Sequence, residues 1–126
     1  MKLTKYKSYI KEQFKIIAES NNLKWLNSES EYLLKLESDN VAIEFFSEKW
    51  DEETLGIIII DLKNNKHYTI SDLIDLKVGN NSYLDEEDRG LCKNLNDKIK
   101  VIIYVSALVL KKYCQEILLG DFSKIN

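Results

Sequence analysis

A run of four isoleucines constrains the fold of this chain more than any other feature of its sequence. The isoleucines occupy positions 57–60 of the segment LGIIIIDLK, which has no polar side chain until Asp61. β-Branched residues pack well on a pleated surface, and a continuous apolar run of this length is typical of a strand covered on both faces. We therefore predict a strand over residues 55–63 in the middle of a sheet.

The segments around this run also have the character of β-strands. In residues 31–37, three apolar side chains alternate with charged ones, although Leu33 interrupts the polar side, so we expect one mostly buried face. Two tight turns are predicted at Asp39-Asn40 and Asn64-Asn65, because both residue types tolerate left-handed backbone. The predicted main strands are residues 31–37, 41–48, 55–63 and 66–70, and a short segment at residues 23–26 precedes them. Joined in this order, they form an antiparallel meander of four to five strands.

The N-terminal segment shows the spacing of an amphipathic helix. Its apolar face consists of Tyr6, Ile10, Phe14 and Ile17, widened by Tyr9 and Ile16. Thr4 can cap this helix at its start, and Asn21-Asn22 ends it.

Two more helices are predicted after the last strand. Ser71 can cap a short helix over residues 72–76, and a loop opening at Gly79-Asn80-Asn81 leads to a long helix over residues 91–119. The apolar stripe of the long helix consists of Leu95, Ile99, Ile102, Val105, Leu108, Val109, Tyr113 and Ile117. We expect this helix to be the central element of the core.

Together these elements predict an α+β fold in a single domain over residues 1–126: N-terminal helix, antiparallel meander, short helix, and long C-terminal helix packed on the sheet. The longest apolar run, residues 101–110, is about half of the ~20 residues that cross a bilayer. The basic N-terminus has no continuous apolar stretch typical of a signal peptide. We therefore expect a cytoplasmic protein without membrane contact, whose two cysteines are reduced packing residues.

Residues that carry out chemistry are scarce in this chain. The single histidine, His67, has no second histidine or nearby cysteine with which to form a zinc site. The segment DEEDRG at residues 85–90 resembles the start of a calcium loop, but Asn96 occupies the position that requires a bidentate glutamate. No glycine-rich phosphate loop is present. We expect no catalytic residue, no metal and no cofactor.

One enzymatic alternative remains open at this stage. Asp51, followed by Asp61 and Lys63 at a strand end, has the pattern of metal-dependent nucleases, in which acids hold the metal and a lysine assists the attacking water. A nuclease also requires cationic side chains for phosphates, and this acidic chain has one arginine. Direct nucleic-acid binding is therefore not expected.

Charge is distributed unevenly along the chain. Residues 1–26 contain six lysines and two acids, whereas residues 27–61 contain two lysines and ten acids. We predict that the acidic surface binds a basic protein partner, since such charges accelerate association with a partner of opposite sign. The candidate partner-binding residues are Glu44, Glu48, Trp50, Asp51, Glu52, Glu53, Asp85, Glu86, Glu87 and Asp88.

Trp50 has two interpretations within this acidic segment. It can anchor an interface, because tryptophan contributes a large buried area and the surrounding acids attract the partner. It can also cap the core of its own chain, with the acids as a solvated loop, and large aromatics more often pack in this way.

The stretch IIIIDLKNNKHYTISDLI, followed by a long terminal helix in an acidic single-domain chain, resembles the small immunity proteins of bacterial polymorphic toxin and contact-dependent growth-inhibition systems. The resemblance lies in the general plan of the chain and assigns no individual residue. It implies a non-enzymatic antitoxin that binds a cognate, often basic, toxin domain and masks its active or substrate-binding surface. The alternatives are the acid-x-Lys nuclease and an adaptor or oligomeric domain.

Overall fold

A five-stranded antiparallel sheet is the centre of the computed structural model, which describes residues 1–27, 29–79 and 83–125. The strands are β1 Lys24–Leu26, β2 Leu33–Glu37, β3 Val41–Phe46, β4 Gly56–Asp61 and β5 Lys66–Thr69. They lie side by side in chain order, so the sheet is the predicted meander. The isoleucine run forms β4, which pairs with β3 on one side and β5 on the other.

The two faces of the sheet differ in what covers them. Leu36, Ile43 and Ile59 are in register across three strands and are fully buried in the main hydrophobic cluster, together with helical residues. On the opposite face, Ile60 pairs with Ala42 and both are buried outside that cluster, whereas Ile58 is only half-buried. The expectation that the isoleucine run is covered on both faces therefore holds for Ile60 but not fully for Ile58.

The two predicted hairpin turns form by different means. Asn65 adopts left-handed backbone (φ 52°), as expected. The turn at Asp39-Asn40 does not; there, the Ser38 hydroxyl accepts hydrogen bonds from the amides of Asn40 and Val41, each at 3.3 Å. The turn is thus stabilised by hydrogen bonds to the Ser38 side chain, and neither Asp39 nor Asn40 adopts left-handed backbone.

The N-terminal helix is broken into two. Helix α1 spans Lys7–Gln13 and helix α2 spans Lys15–Ser20, with a short 3-10 turn at Leu3–Lys5 before them. Phe14 leaves helical geometry between them, and its ring packs edge-on against Phe45 with centroids 4.8 Å apart.

The start and the apolar face of this region also differ from prediction. Thr4 lies inside the 3-10 turn, so it is not the helix cap, and no side chain caps α1. All four residues of the main predicted face are buried, but Ile16 is 63% exposed and does not widen it.

A capping box begins helix α3, which spans Ile70–Leu73. The Thr69 hydroxyl accepts from the Asp72 amide (3.0 Å), and the Asp72 carboxylate accepts from the Thr69 amide (2.9 Å). Thr69, not Ser71, is therefore the cap. The chain continues as a π-helical turn over Ile74–Val78 to Gly79, and the asparagines predicted in the following loop lie outside the described residues.

The predicted single C-terminal helix is three helices, α4 Glu86–Leu95, α5 Lys98–Tyr113 and α6 Gln115–Leu118. Asn96 adopts left-handed backbone (φ 48°), and the Asp97 carboxylate accepts from the amides of Ile99 and Lys100. One helix thus ends and another begins within two residues.

Helix α5 packs on the sheet as expected, through a face rotated from the predicted stripe. Its buried residues are Ile99, Ile103, Ser106, Ala107, Val109 and Leu110. Ile102, Val105, Leu108 and Tyr113 are only partly buried. Both cysteines are free, and Cys114 is buried at the junction of α5 and α6.

Candidate functional site

The loop between β3 and β4, residues 47–55, presents the most exposed large apolar side chain in the described part of the protein. Trp50 is 89% exposed. Lys49 places its ammonium nitrogen 5.0 Å from the centroid of the Trp50 ring. The interpretation of Trp50 as a cap on its own core is therefore wrong. We refer to residues 47–55 as the acidic loop.

Contacts with the start of the chain fix the backbone of the acidic loop. The amino group of Met1 donates to the carbonyl oxygens of Glu48 (2.6 Å), Lys49 (3.1 Å) and Asp51 (3.1 Å). The Ser47 hydroxyl donates to the Met1 carbonyl. Trp50 thus projects from a loop whose backbone is held on both sides of it.

Asp51 folds back into the loop. Its carboxylate accepts from the amides of Glu53 (2.9 Å) and Thr54 (3.2 Å), as well as from the Thr54 hydroxyl. The bond from the Thr54 side chain, followed by the backbone bonds, holds the pKa of Asp51 below its usual range. Glu48, Glu52 and Glu53 are left as the exposed acids of the acidic loop.

A hydrogen bond beside the acidic loop joins the first helical segment to α5, and sequence reasoning missed it. The Tyr6 hydroxyl donates to the Asp97 carboxylate at 3.0 Å. Burial and the bond to Asp97 raise the pKa of Tyr6. Glu53 of the acidic loop and Asp97 line the same depression, so the acidic loop lies near this bond. An aspartate just before the apolar run of α5 was the available signal, because it is a helix N-cap signature.

Glu44 lies apart from the acidic loop. It is half-buried on β3, on the sheet face that carries Ile58, and its carboxylate is 3.9 Å from the ammonium of Lys35. The structure therefore does not group Glu44 with the exposed acids of the acidic loop.

The second predicted acidic group forms the N-terminus of α4. Asp85 is the N-cap of a capping box with Asp88, and Glu86 and Glu87 are exposed in the first turn. Asp88 is buried and accepts from the Tyr104 hydroxyl (3.0 Å) and the Lys112 ammonium (3.4 Å). Its carboxylate is thus engaged in joining α4 to α5.

The two acidic groups lie at opposite ends of α4. Glu53 of the acidic loop lines a depression together with Asn96 and Lys98, just beyond the C-terminal end of α4. A helix of this length, 10 residues, spans about 15 Å. The structure therefore offers two separate acidic surfaces and, among the residues it describes, the exposed aromatic Trp50 belongs to the acidic loop.

The residues of the nuclease alternative are not brought together. Asp51 precedes β4 and Asp61 is its last residue, so the strand separates them. The Asp61 carboxylate is buried and accepts from the Lys63 amide (3.1 Å) and from the Asn64 amide (3.3 Å) and side chain (2.9 Å). Across the described ranges, no group of three or more His, Cys, Asp or Glu side chains could hold a metal ion.

Comparisons with known proteins identify no relative: no family model, curated protein or solved structure matches the chain. Over the described residues, none of the helices has the length and apolar character needed to span a bilayer.

The contact between Asp88 and Tyr104 predicts a pH dependence of stability. Burial acts to raise the pKa of Asp88, but bonds from Tyr104, the Asp85 amide and Lys112 outweigh it and lower the pKa. Burial and the bond to Asp88 raise the pKa of Tyr104 to about 12. The Asp88 contribution should be present above about pH 4 and decline as the pH falls further, whereas the Tyr104 contribution should decline as the pH rises above about 10.

Melting temperatures of the wild type and the Tyr104→Phe variant, measured across the pH range, test this prediction. The variant keeps the ring but lacks the hydroxyl. The difference between its melting temperature and that of the wild type should therefore be largest at neutral pH and smaller at both pH extremes. A difference that stays constant with pH would contradict the assignment.

Proposed function

We propose that this protein is a non-enzymatic immunity protein that acts in the cytoplasm and binds a cognate basic toxin domain through the acidic loop. The observation that carries this proposal is the 89% exposure of Trp50 beside the exposed carboxylates of Glu48, Glu52 and Glu53. An apolar side chain of this size in water has a large free energy to gain from burial in a partner.

The fixed backbone of the acidic loop supports a binding role. Binding through a mobile loop costs conformational entropy when the loop becomes ordered. Here the contacts from Met1 and the Asp51 carboxylate hold the loop before any partner arrives. Most of the free energy gained by burying Trp50 would therefore remain available for affinity.

The charges of the acidic loop indicate that the partner carries a positively charged surface. Three exposed glutamates on one loop repel an anionic surface and attract a cationic one. A toxin domain that acts on nucleic acid carries such a cationic surface, because it must bind phosphates. In the proposed mechanism, the glutamates accelerate the encounter, Trp50 is buried in the contact, and the toxin surface that binds phosphates is covered.

Co-expression is the direct test of the proposed role. The probe is the C-terminal domain encoded by the gene adjacent to the gene for this protein. We expect that domain to arrest growth when it is produced alone and growth to be restored by co-expression of this chain. The two purified proteins should elute together. A neighbouring domain that is not toxic, or a purified pair that elutes separately, would contradict the proposal.

Reversing two charges of the acidic loop should slow association. With Glu52→Lys and Glu53→Lys together, we expect about a tenfold lower association rate at low salt and a weaker dependence of that rate on salt. The matched control is Glu86→Lys with Glu87→Lys, which makes the same change in net charge at the far end of α4. Surface plasmon resonance gives the rates, and circular dichroism checks folding. If only the α4 variant slows binding, the contact surface lies there instead.

A further inference from the structure

Trp50 lies at the tip of a fixed turn. The Asp51 amide donates to the Glu48 carbonyl oxygen (3.2 Å), so Lys49 and Trp50 are the two central residues of a four-residue turn. The same carbonyl oxygen accepts from the Met1 amino group (2.6 Å). The indole ring is therefore presented to solvent from a backbone that is already held in place.

The ring of Trp50 already has a cation against it. The ammonium nitrogen of Lys49 lies 5.0 Å from the ring centroid, within the ~6 Å over which the electron-rich face of an indole attracts a positive charge. This lysine covers little of the ring, because Trp50 is 89% exposed with the contact in place. The remaining surface of the ring is open to a second cation.

The charges of the acidic loop favour a cation over a neutral group at this ring. The loop contains four acids and one lysine, a balance of −3, and Glu48, Glu52 and Glu53 are exposed. A cation on the ring is attracted by the π-electrons and by these carboxylates, whereas a neutral apolar group gains only from the burial of the ring. A neutral surface would also remove water from the carboxylates without pairing them, which is unfavourable.

Arginine matches this arrangement better than lysine does. Its guanidinium is planar, so it can stack flat on an indole while its N–H groups, which lie in the same plane, donate to a carboxylate. It is also more weakly hydrated than an ammonium group and therefore loses less when water is removed. An exposed indole in a loop of carboxylates thus favours arginine over lysine.

We propose that Trp50 and the exposed glutamates of the acidic loop form a recognition site for an arginine side chain of the basic partner. The identity of that partner rests on the proposed function, whereas the preference for arginine rests on the chemistry of the acidic loop. The inference specifies what covers Trp50 in the complex: a guanidinium stacked on the ring, in place of an apolar pocket.

Peptides of equal charge test the preference without the toxin domain. Dye-labelled hexa-arginine and hexa-lysine are titrated with the protein at low salt, and fluorescence anisotropy gives their affinities. We expect hexa-arginine to bind the wild type about fivefold more tightly than hexa-lysine, and this ratio to fall in Trp50→Leu, which keeps an apolar side chain but no π-electrons. The same ratio in both proteins would contradict the proposal, because the ring would then play no part in the preference.

Fluorinated tryptophan tests the contact in the complex. Trp25→Phe removes the other tryptophan, so that tryptophan carrying one, two or three fluorine atoms on its benzene ring enters only at position 50. Fluorine withdraws electrons from the ring face and leaves its shape nearly unchanged. The dissociation rate of the domain encoded by the adjacent gene should therefore rise with each fluorine, by about tenfold in total. Surface plasmon resonance gives the rates, and circular dichroism checks the folding of the Trp25→Phe chain.

The two measurements separate this inference from the proposed function. If the domain binds but its dissociation is unchanged or slowed by fluorine, Trp50 enters an apolar pocket and the arginine site is wrong, although the antitoxin role stands. If the domain does not bind at all, the proposed function fails, and the peptide titration still decides whether the acidic loop selects arginine.

Discussion

Replacing Trp50 with alanine is expected to raise the dissociation rate of the complex with the proposed basic partner about 30-fold or more, with little effect on association. Truncating a tryptophan at the centre of an interface typically costs about 2 kcal/mol or more, and about 1.4 kcal/mol corresponds to a factor of ten. The change removes no charge, so the electrostatic attraction that governs association is unaltered. Surface plasmon resonance separates the two rates.

The other tryptophan provides a matched control. Trp25 is half-buried, and its ring lies 6.0 Å from that of Phe45, in the core. Trp25→Ala should therefore lower the melting temperature, whereas Trp50→Ala should leave it unchanged, because its side chain is 89% exposed. If Trp50→Ala binds the partner as the wild type does, Trp50 is not part of the contact and the acidic loop loses its main support as an interface.

The sheet could be predicted because its signals are local. Four strands were predicted within a few residues of their observed bounds, from the alternation of apolar and polar residues, the isoleucine run and the turn residues. The short segment predicted at residues 23–26 corresponds to β1, the fifth strand. Burial of a strand depends on the whole fold, however. Ile58 stays half-buried because its face carries charged neighbours such as Glu44, directly opposite on β3.

The helix boundaries were harder to predict, since a single residue can break a helix while the apolar spacing continues. Phe14 keeps its place on the buried face while leaving helical geometry. The helical spacing of apolar residues also continues across Asn96 and Asp97, although Asn96 adopts left-handed backbone and Asp97 caps the next helix. Asparagine followed by aspartate indicates a helix end and a helix start, and here this signal outweighs the apolar periodicity.

The exposure of Trp50 could not be derived from the sequence. Whether a loop tryptophan packs on its own core depends on where the loop is anchored, and the anchor here is Met1, more than forty residues earlier in the chain. The same limit applies to the acids. Sequence alone cannot distinguish the buried Asp88, which bonds to Tyr104, from the exposed Glu86 and Glu87 beside it.

Replacing Asp61 with alanine is expected to lower the free energy of unfolding by about 1.5–3 kcal/mol, the typical contribution of hydrogen bonds to a charged group. Its buried carboxylate holds the turn between β4 and β5 through the Lys63 amide and two nitrogens of Asn64. Asp61→Asn keeps one acceptor oxygen for the turn and should cost less. Lys63→Ala should change stability by less than about 0.5 kcal/mol, because this side chain is exposed. Urea unfolding measures all three.

These variants also decide between a turn residue and a nuclease residue. If Asp61 is a turn residue and the proposed antitoxin role is correct, Asp61→Asn and Lys63→Ala should restore growth in the co-expression test as the wild-type chain does. A nuclease would require Asp61 to hold a metal ion with the same oxygens that now accept from Lys63 and Asn64. Cleavage of DNA or RNA that depends on a divalent metal, and that is lost in both variants while their folding is intact, would favour the nuclease over the antitoxin.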